Sequence, residues 1–170
     1  MESTLKPAPG VDVEHQPVAA LFACLLVNEA ANDGIPGMTA VAQVVINRVK
    51  RPRRFGTTLR DVILQPYAFS CLNRDVRGRF LDIARFGAAA YQQADAIVEQ
   101  AMNNALPNTV GDATHYCTNG LHGTLPLWGH DDAARIAAGH HPAWYSKQEI
   151  EAGNTVQTAV VWRQTFGVCE

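Results

Sequence analysis

Apolar residues recur at helical spacing through the first two thirds of the chain. Between Pro17 and Ala31 the run PVAALFACLLVNEAA is almost wholly apolar, and Val18, Phe22, Leu25 and Glu29 fall on one helical face at i, i+4, i+7 and i+11. Pro17 suits the first helical position and Asn32-Asp33-Gly34 is a turn cluster, so the pattern predicts a helix over 17–31. A second helix is expected from about Pro36 to Arg51. Val41, Val44, Val45 and Val49 face inward there, Gln43, Asn47 and Lys50 form a polar side, and Pro52 closes the helix. Two apolar helices joined by so short a turn should pack antiparallel. Thr58 to Asp61 reads as a capping box with Asp in place of Glu, opening a short helix Leu59–Leu64 that Gln65-Pro66 stops.

Tyr67 to Cys71 follows a proline and is dense in aromatics, which predicts a structured loop whose rings are either core or the lining of a groove. Helices are expected over Phe80–Phe86 and, with Ala94, Ile97, Val98, Ala101 and Met102 as the apolar side, over Ala88–Ala105. Beyond Pro107 the texture changes. Asp112–Asn119 (DATHYCTN) has strand-like residues, Gly120 to Gly129 reads as loop, and Thr155–Phe166 fits strand or helix, with helix preferred. The expected fold is mainly α, in the α+β sense of a helical domain with a small irregular β part. Residues 1–16 are read as an extended leader and 17–170 as one domain, a size and apolar content (47% hydrophobic) that suit a single core.

Composition adds two constraints. The start of the chain has no basic segment followed by an apolar one, and Val18–Val27 is too short to cross a bilayer, so synthesis in the cytoplasm without a signal peptide and no membrane insertion are expected. Ten of the fourteen Lys and Arg residues lie between Arg48 and Arg85 beside only Asp61, Asp75 and Asp82, giving that segment +7 in a chain of net charge −2. Such a segment is either a solvated face or a surface for a polyanion, nucleic acid or bacterial wall. Cys24, Cys71, Cys117 and Cys169 show no CxxC or zinc-type pairing, and free thiols are expected of a cytosolic product.

Five of the six histidines (His115, His122, His130, His140 and His141) fall after Pro107. They contain no HExxH and no familiar zinc spacing, so neither a metal nor another cofactor is expected. No GxSxG or Cys–His signature points to a nucleophile, and no nucleic-acid motif surrounds the basic segment. Glu29 continues an apolar stripe, where a charge is expensive. It is therefore either a helix end reaching solvent or a shielded acid, and apolar surroundings favour the protonated carboxyl a general acid needs. An acid of that kind beside loops rich in Tyr, Trp, Asn and His suits a sugar polymer, because aromatic faces stack on pyranose rings.

Asn28-Glu29-Ala30, Val41–Val49 (VAQVVINRV) and Pro66–Cys71 (PYAFSC) are followed by Asp112–Tyr116 (DATHY), Pro126-Leu127-Trp128, Gly139-His140 and Trp144-Tyr145. In this order and spacing the blocks resemble the SleB-type cell wall hydrolase family, the spore-cortex-lytic and phage-associated enzymes acting on peptidoglycan. The likeness runs over Leu25–Tyr145, with the segment after Tyr145 outside it. Where the family usually continues Glu-Ala-Arg-Gly-Glu, this chain has Glu29-Ala30-Ala31-Asn32-Asp33. The resemblance implies a lysozyme-like or lytic-transglycosylase-like domain in which Glu29 is catalytic at the β-1,4 bond between N-acetylmuramic acid and N-acetylglucosamine.

With one carboxylate in place, a lytic transglycosylase is preferred over a hydrolytic muramidase, since most glycoside hydrolases use two. Asp33 is the only near second carboxyl. Ser70, His115, Tyr116 and Asn119 are expected to orient the sugars, Trp128 and Tyr145 to stack on them, and His140 to be structural or a contact. The expected partner is the peptidoglycan glycan strand, with no nucleic acid, and the protein is expected to be a monomer. A phage or prophage lysin, released by a holin or carried on a virion to the cell wall, fits best. The alternatives are a non-catalytic peptidoglycan-binding or virion structural protein, and a metal-dependent cell-wall amidase.

Overall fold

Helix α1 (Val18–Ala30) is apolar on every side, and the fold buries it accordingly. In the computed structural model, which describes residues 6–118, 155–161 and 164–169, Ala20 to Val27 are all essentially inaccessible to solvent. A helix apolar all round has to be the centre of a packed layer rather than its edge. Burying Leu21, Phe22, Leu25, Leu26 and Val27 contributes about 1.5–3 kcal/mol each. Helix α2 (Gly34–Val49) follows through a 3-10 turn at Ala31–Asp33 and packs on α1. Ala30 at φ −144° and Gly34 at φ 63° make the break between the two helices.

By length and composition the stretch Val18–Val49 passes for a membrane-crossing segment, but half of its apolar window is buried inside the protein. The 13 residues of α1 alone extend roughly 20 Å, short of a hydrocarbon core about 30 Å thick.

The chain divides into two compact units, residues 1–107 and 108–170. In the first, α5 (Ala88–Met102) lays Tyr91, Ala94, Ile97, Val98 and Ala101 against α1 and α2, as its periodicity predicts, and ends three residues before Ala105. Helix α4 (Leu59–Leu64) packs on α1 and α2, and its Thr58–Asp61 capping box forms in both directions. Pro52 does not simply end α2: it opens a one-turn helix, α3 (Pro52–Phe55), at the position where its missing N–H costs nothing. Phe80–Phe86 is not an α-helix. Only Ile83–Phe86 of it is helical, as a 3-10 turn, and a separate 3-10 turn at Arg77–Arg79 precedes it.

Two further expectations are corrected. Gln43 and Asn47 do not face water. Both are buried, because α1, α3, α4 and α5 all pack around α2, and the Gln43 amide donates to Asn47 Oδ1 at 2.9 Å. The segment before α1 is not a loose extended leader. It makes a 3-10 turn at Val13–His15 capped by Asp12, and the buried Gln16 side chain donates to the Ala8 and Val11 carbonyls and accepts from the Ala8 N–H. Arg60 of α4 donates to the Glu14 and Gln16 carbonyls, and Arg77 pairs with the Glu14 carboxylate.

The described residues of the second unit include a three-stranded antiparallel sheet, β1 (His115–Thr118), β2 (Thr155–Val161) and β3 (Gln164–Cys169), in the order β1-β3-β2. β1 realises the strand expected in DATHYCTN. The preference for helix over Thr155–Phe166 is overturned. Val161 lies opposite Gln164 and Val156 opposite Val168, with a bulge between Gln157 and Ala159. Thr155, Val156, Thr158, Val160 and Val161 are β-branched, and such side chains fit a pleated surface better than a helix. Helices account for most of the described first unit, and the sheet is the small β part of a mainly α protein.

Candidate active site

Glu29 occupies the last turn of α1, half-buried, one residue before Ala30 closes the core again. The helix carries it to the edge of the packed layer, just before the 3-10 turn at Ala31–Asp33. The partner that meets it comes from the PYAFSC segment. The Cys71 N–H donates to Glu29 Oε1 across a long 3.4 Å contact, and the Cys71 thiol is also hydrogen-bonded to Glu29. Burial, then the Glu29 charge and this hydrogen bond, push the Cys71 thiol far above its ordinary range, while Arg85 pulls slightly the other way. Cys71 therefore stays a neutral S–H donor beside Glu29.

Asn28 locks the surroundings. Its amide nitrogen donates to the Cys24 carbonyl at 2.7 Å and to the Phe80 carbonyl at 3.0 Å, and its oxygen accepts from Arg85. Two of these three hydrogen bonds, to the Phe80 carbonyl and from Arg85, tie the 77–86 segment to the end of α1. On the other side Arg48, buried on α2, lies 5.3 Å from the Phe55 ring and 4.8 Å from the Phe69 ring, and donates to the Ala68 carbonyl at 3.4 Å. Phe69 is thereby core, while the exposed Ser70 opens the 3-10 turn Ser70–Leu72 next to Cys71. Asp33, the possible second carboxyl, has its Cβ against Gly37 of α2, where a glycine Cβ would stand 2.3 Å away.

Of the sequence-derived candidates, Glu29 and Ser70 are brought to one place within the first unit. His115 and Tyr116 belong to the second. They are adjacent on β1 and so point to opposite faces of the sheet. His115 is buried, with Nδ1 3.0 Å from the Thr114 hydroxyl, and Tyr116 is half-exposed opposite Phe166. Asn119, Trp128, Tyr145 and His140 lie outside the described residues. Cys24 and Cys71 are free thiols, and the side chains of Cys117 and Cys169 are also outside the described residues. Among the described residues, no three His, Cys, Asp or Glu side chains are grouped to hold a metal.

The basic segment resolves into two kinds of residue. Arg48, Arg60, Arg77 and Arg85 act as clamps on loops and on the start of the chain, Arg85 while itself exposed. Lys50, Arg53, Arg74 and Arg79 are exposed. Cys71, Arg85 and Asn28 were not expected as neighbours of Glu29 from the sequence. Only the Asn28-Glu29 and PYAFSC blocks carried a signal for them.

Residues 32–157 match the Cell Wall Hydrolase family, most of the chain. The chain belongs to that family. As a cell wall hydrolase it acts on peptidoglycan, the polymer of the bacterial wall. The family match starts three residues after Glu29, so it takes in the VAQVVINRV and PYAFSC blocks but not Asn28-Glu29-Ala30. It also runs twelve residues past Tyr145, into β2, which corrects the expectation that the likeness ends there. Neither a curated protein nor a solved structure matches the chain.

Proposed function

We propose that this cell wall hydrolase is a peptidoglycan glycosidase of lysozyme-like fold in which Glu29 protonates the β-1,4 oxygen between N-acetylmuramic acid and N-acetylglucosamine. The observation that carries the reading is the placement of Glu29, a half-buried carboxyl at the end of the most buried helix, facing the Cys71 N–H and S–H. In the first step the protonated carboxyl gives its proton to the leaving oxygen, and the glycosidic bond breaks with positive charge developing at the muramic acid C1. The Cys71 donors then hold the resulting carboxylate. In the second step that carboxylate takes the proton of the muramic acid 6-hydroxyl, whose oxygen closes on C1, leaving a 1,6-anhydro sugar. This lytic route needs one carboxylate and is preferred to water attack, for which Asp33, packed against Gly37, is the nearest second group along the chain. The exposed Ser70 hydroxyl is assigned to orient an acetamido sugar. A monomeric phage or prophage lysin, freed by a holin or carried on a virion, is the setting that fits this activity.

The test is Glu29→Gln on purified sacculi, with mass spectrometry of the soluble products. Near-complete loss of fragment release with an unchanged circular dichroism spectrum is expected, and wild-type release by the variant ends the proposal. For the wild-type protein, anhydro ends identify the transglycosylase, reducing ends the muramidase, and free amino groups an amidase. Binding to sacculi with no fragments at all identifies a non-catalytic wall-binding protein.

A further inference from the structure

Tyr67 lies in a four-residue turn, Gln65 to Ala68, closed by the Ala68 N–H donating to the Gln65 carbonyl at 3.1 Å. Pro66 holds the second position and Tyr67 the third, at φ 63°, the place in such a turn that glycine usually fills. A left-handed backbone crowds the Cβ of an L residue, so tyrosine here costs the fold stability that glycine would retain. Packing does not return that cost, because Tyr67 is 88% exposed, more than any other large hydrophobic side chain among the described residues. The turn is nevertheless held at both ends. The buried Arg48 donates to the Ala68 carbonyl, and the Gln65 amide donates to the Arg54 carbonyl at 3.3 Å. A costly backbone conformation in a held turn, with no packing of the side chain in return, calls for a role other than folding.

Its location says what is bound. Four residues later Cys71 meets Glu29, which places the α-carbons of Tyr67 and Cys71 at most about 15 Å apart. The exposed Ser70 hydroxyl lies between them in the chain. Ile35, Tyr67 and Val76, three of the four exposed large hydrophobics among the described residues, fall within six positions of Glu29 or Cys71 in the sequence. An exposed aromatic face close in the chain to an exposed hydroxyl suits a pyranose, whose C–H face stacks on an aromatic ring while its hydroxyls find polar partners.

We propose that Tyr67 is a binding platform on which one pyranose ring of the peptidoglycan glycan strand stacks, fixing the strand's register across Glu29. The proposal rests on Glu29 as the acid. Tyr67 takes no part in proton transfer. Its substitution is therefore read in substrate binding, and its replacement by glycine relieves strain.

The experiment compares Tyr67→Gly, Tyr67→Ala, Tyr67→Phe and Tyr67→Trp. Each is measured for fragment release from sacculi across substrate concentration, for urea midpoint, and, on a Glu29→Gln background, for binding to sacculi by sedimentation. Tyr67→Gly and Tyr67→Ala are expected to raise KM roughly tenfold and weaken sedimentation to match, with kcat within about twofold. Tyr67→Phe and Tyr67→Trp should stay near wild type, and Tyr67→Gly should unfold at a higher urea concentration than wild type. Unchanged KM and unchanged sedimentation for the glycine and alanine variants overturn the proposal. So does a fall in kcat with binding intact, which would place Tyr67 among the groups that position Glu29. If the wild-type protein releases no fragments, the glycosidase reading fails by itself, and the sedimentation series still decides whether Tyr67 binds glycan.

Discussion

Asp95 provides the sharpest quantitative prediction, because it is a carboxylate that the core disfavours. It lies on α5 one turn beyond Tyr91, and both of its oxygens are shielded from solvent with no hydrogen-bond partner among the described residues. Burial lifts its pKa from 3.8 to about 6. Its charge also reaches across to α1, adding to the burial that pushes the Cys24 thiol up to about 12. Between pH 3.8 and about 6 the folded protein keeps a proton that the unfolded chain has already released. The Asp95 contribution to stability is therefore complete below pH 3.8 and is lost as pH rises through about 6. A displacement of that size corresponds to about 3 kcal/mol between the two protonation states. The remainder of the residue is half-exposed, and solvent screening lowers the expected effect to about 1–2 kcal/mol.

Asp95→Asn removes the titration while keeping the shape. The variant should match wild type in urea unfolding at pH 4 and exceed it by about 1–2 kcal/mol at pH 7.5. With a slope of roughly 1–3 kcal/mol per molar urea, the midpoint moves by about 0.3–2 M. The difference between the two proteins isolates Asp95 from Asp12 and Asp61, whose exposed carboxyls are lowered by hydrogen bonds to His15 and to Thr58 and Thr57. A difference that is flat with pH, or a variant less stable than wild type at pH 7.5, refutes the reasoning and means that the carboxylate has a partner in solution.

The other substitutions probe packing around the carboxylate. Gly37→Ala should lower stability by about 1–3 kcal/mol, because the new methyl would stand 2.3 Å from the Asp33 Cβ and overpacking outweighs the roughly 1 kcal/mol gained in helix propensity. Calorimetry should show a fall in Tm, and a rise would mean that the turn after Glu29 yields freely. Arg48→Met should cost about 2–3 kcal/mol, from two stacked cation–aromatic contacts and a charged hydrogen bond. It should also slow the clearing of sacculus suspensions, since the Ala68–Cys71 segment loses its anchor; unaltered clearing in a destabilised variant would separate Arg48 from the site. In the same turbidity assay Glu29→Gln is expected to be inert.

Periodicity by itself placed α1, α2, α4 and α5 to within a few residues, and the Thr58–Asp61 cap with them, because these depend on residues three or four apart. The order of short blocks along the chain pointed to the family, while spacing left Glu29 as either a solvated helix end or a shielded acid. The same local signals misread Thr155–Phe166, where β-branched residues pair with a neighbouring strand, and the Gln43–Asn47 side of α2, which faces other helices and not water. The tertiary structure alone decided which cations are clamps: Arg60 reaches residues 46 and 44 positions away, and Arg85 one 57 away. It alone set Cys71 against Glu29, 42 residues apart, and Tyr67 in a left-handed turn facing solvent. A pattern of polar and apolar positions records how much of each local face is buried, but not by what. The contacts that shape the site join residues distant in sequence through long side chains and loop backbone, which follow no period and exist only once the helices have packed.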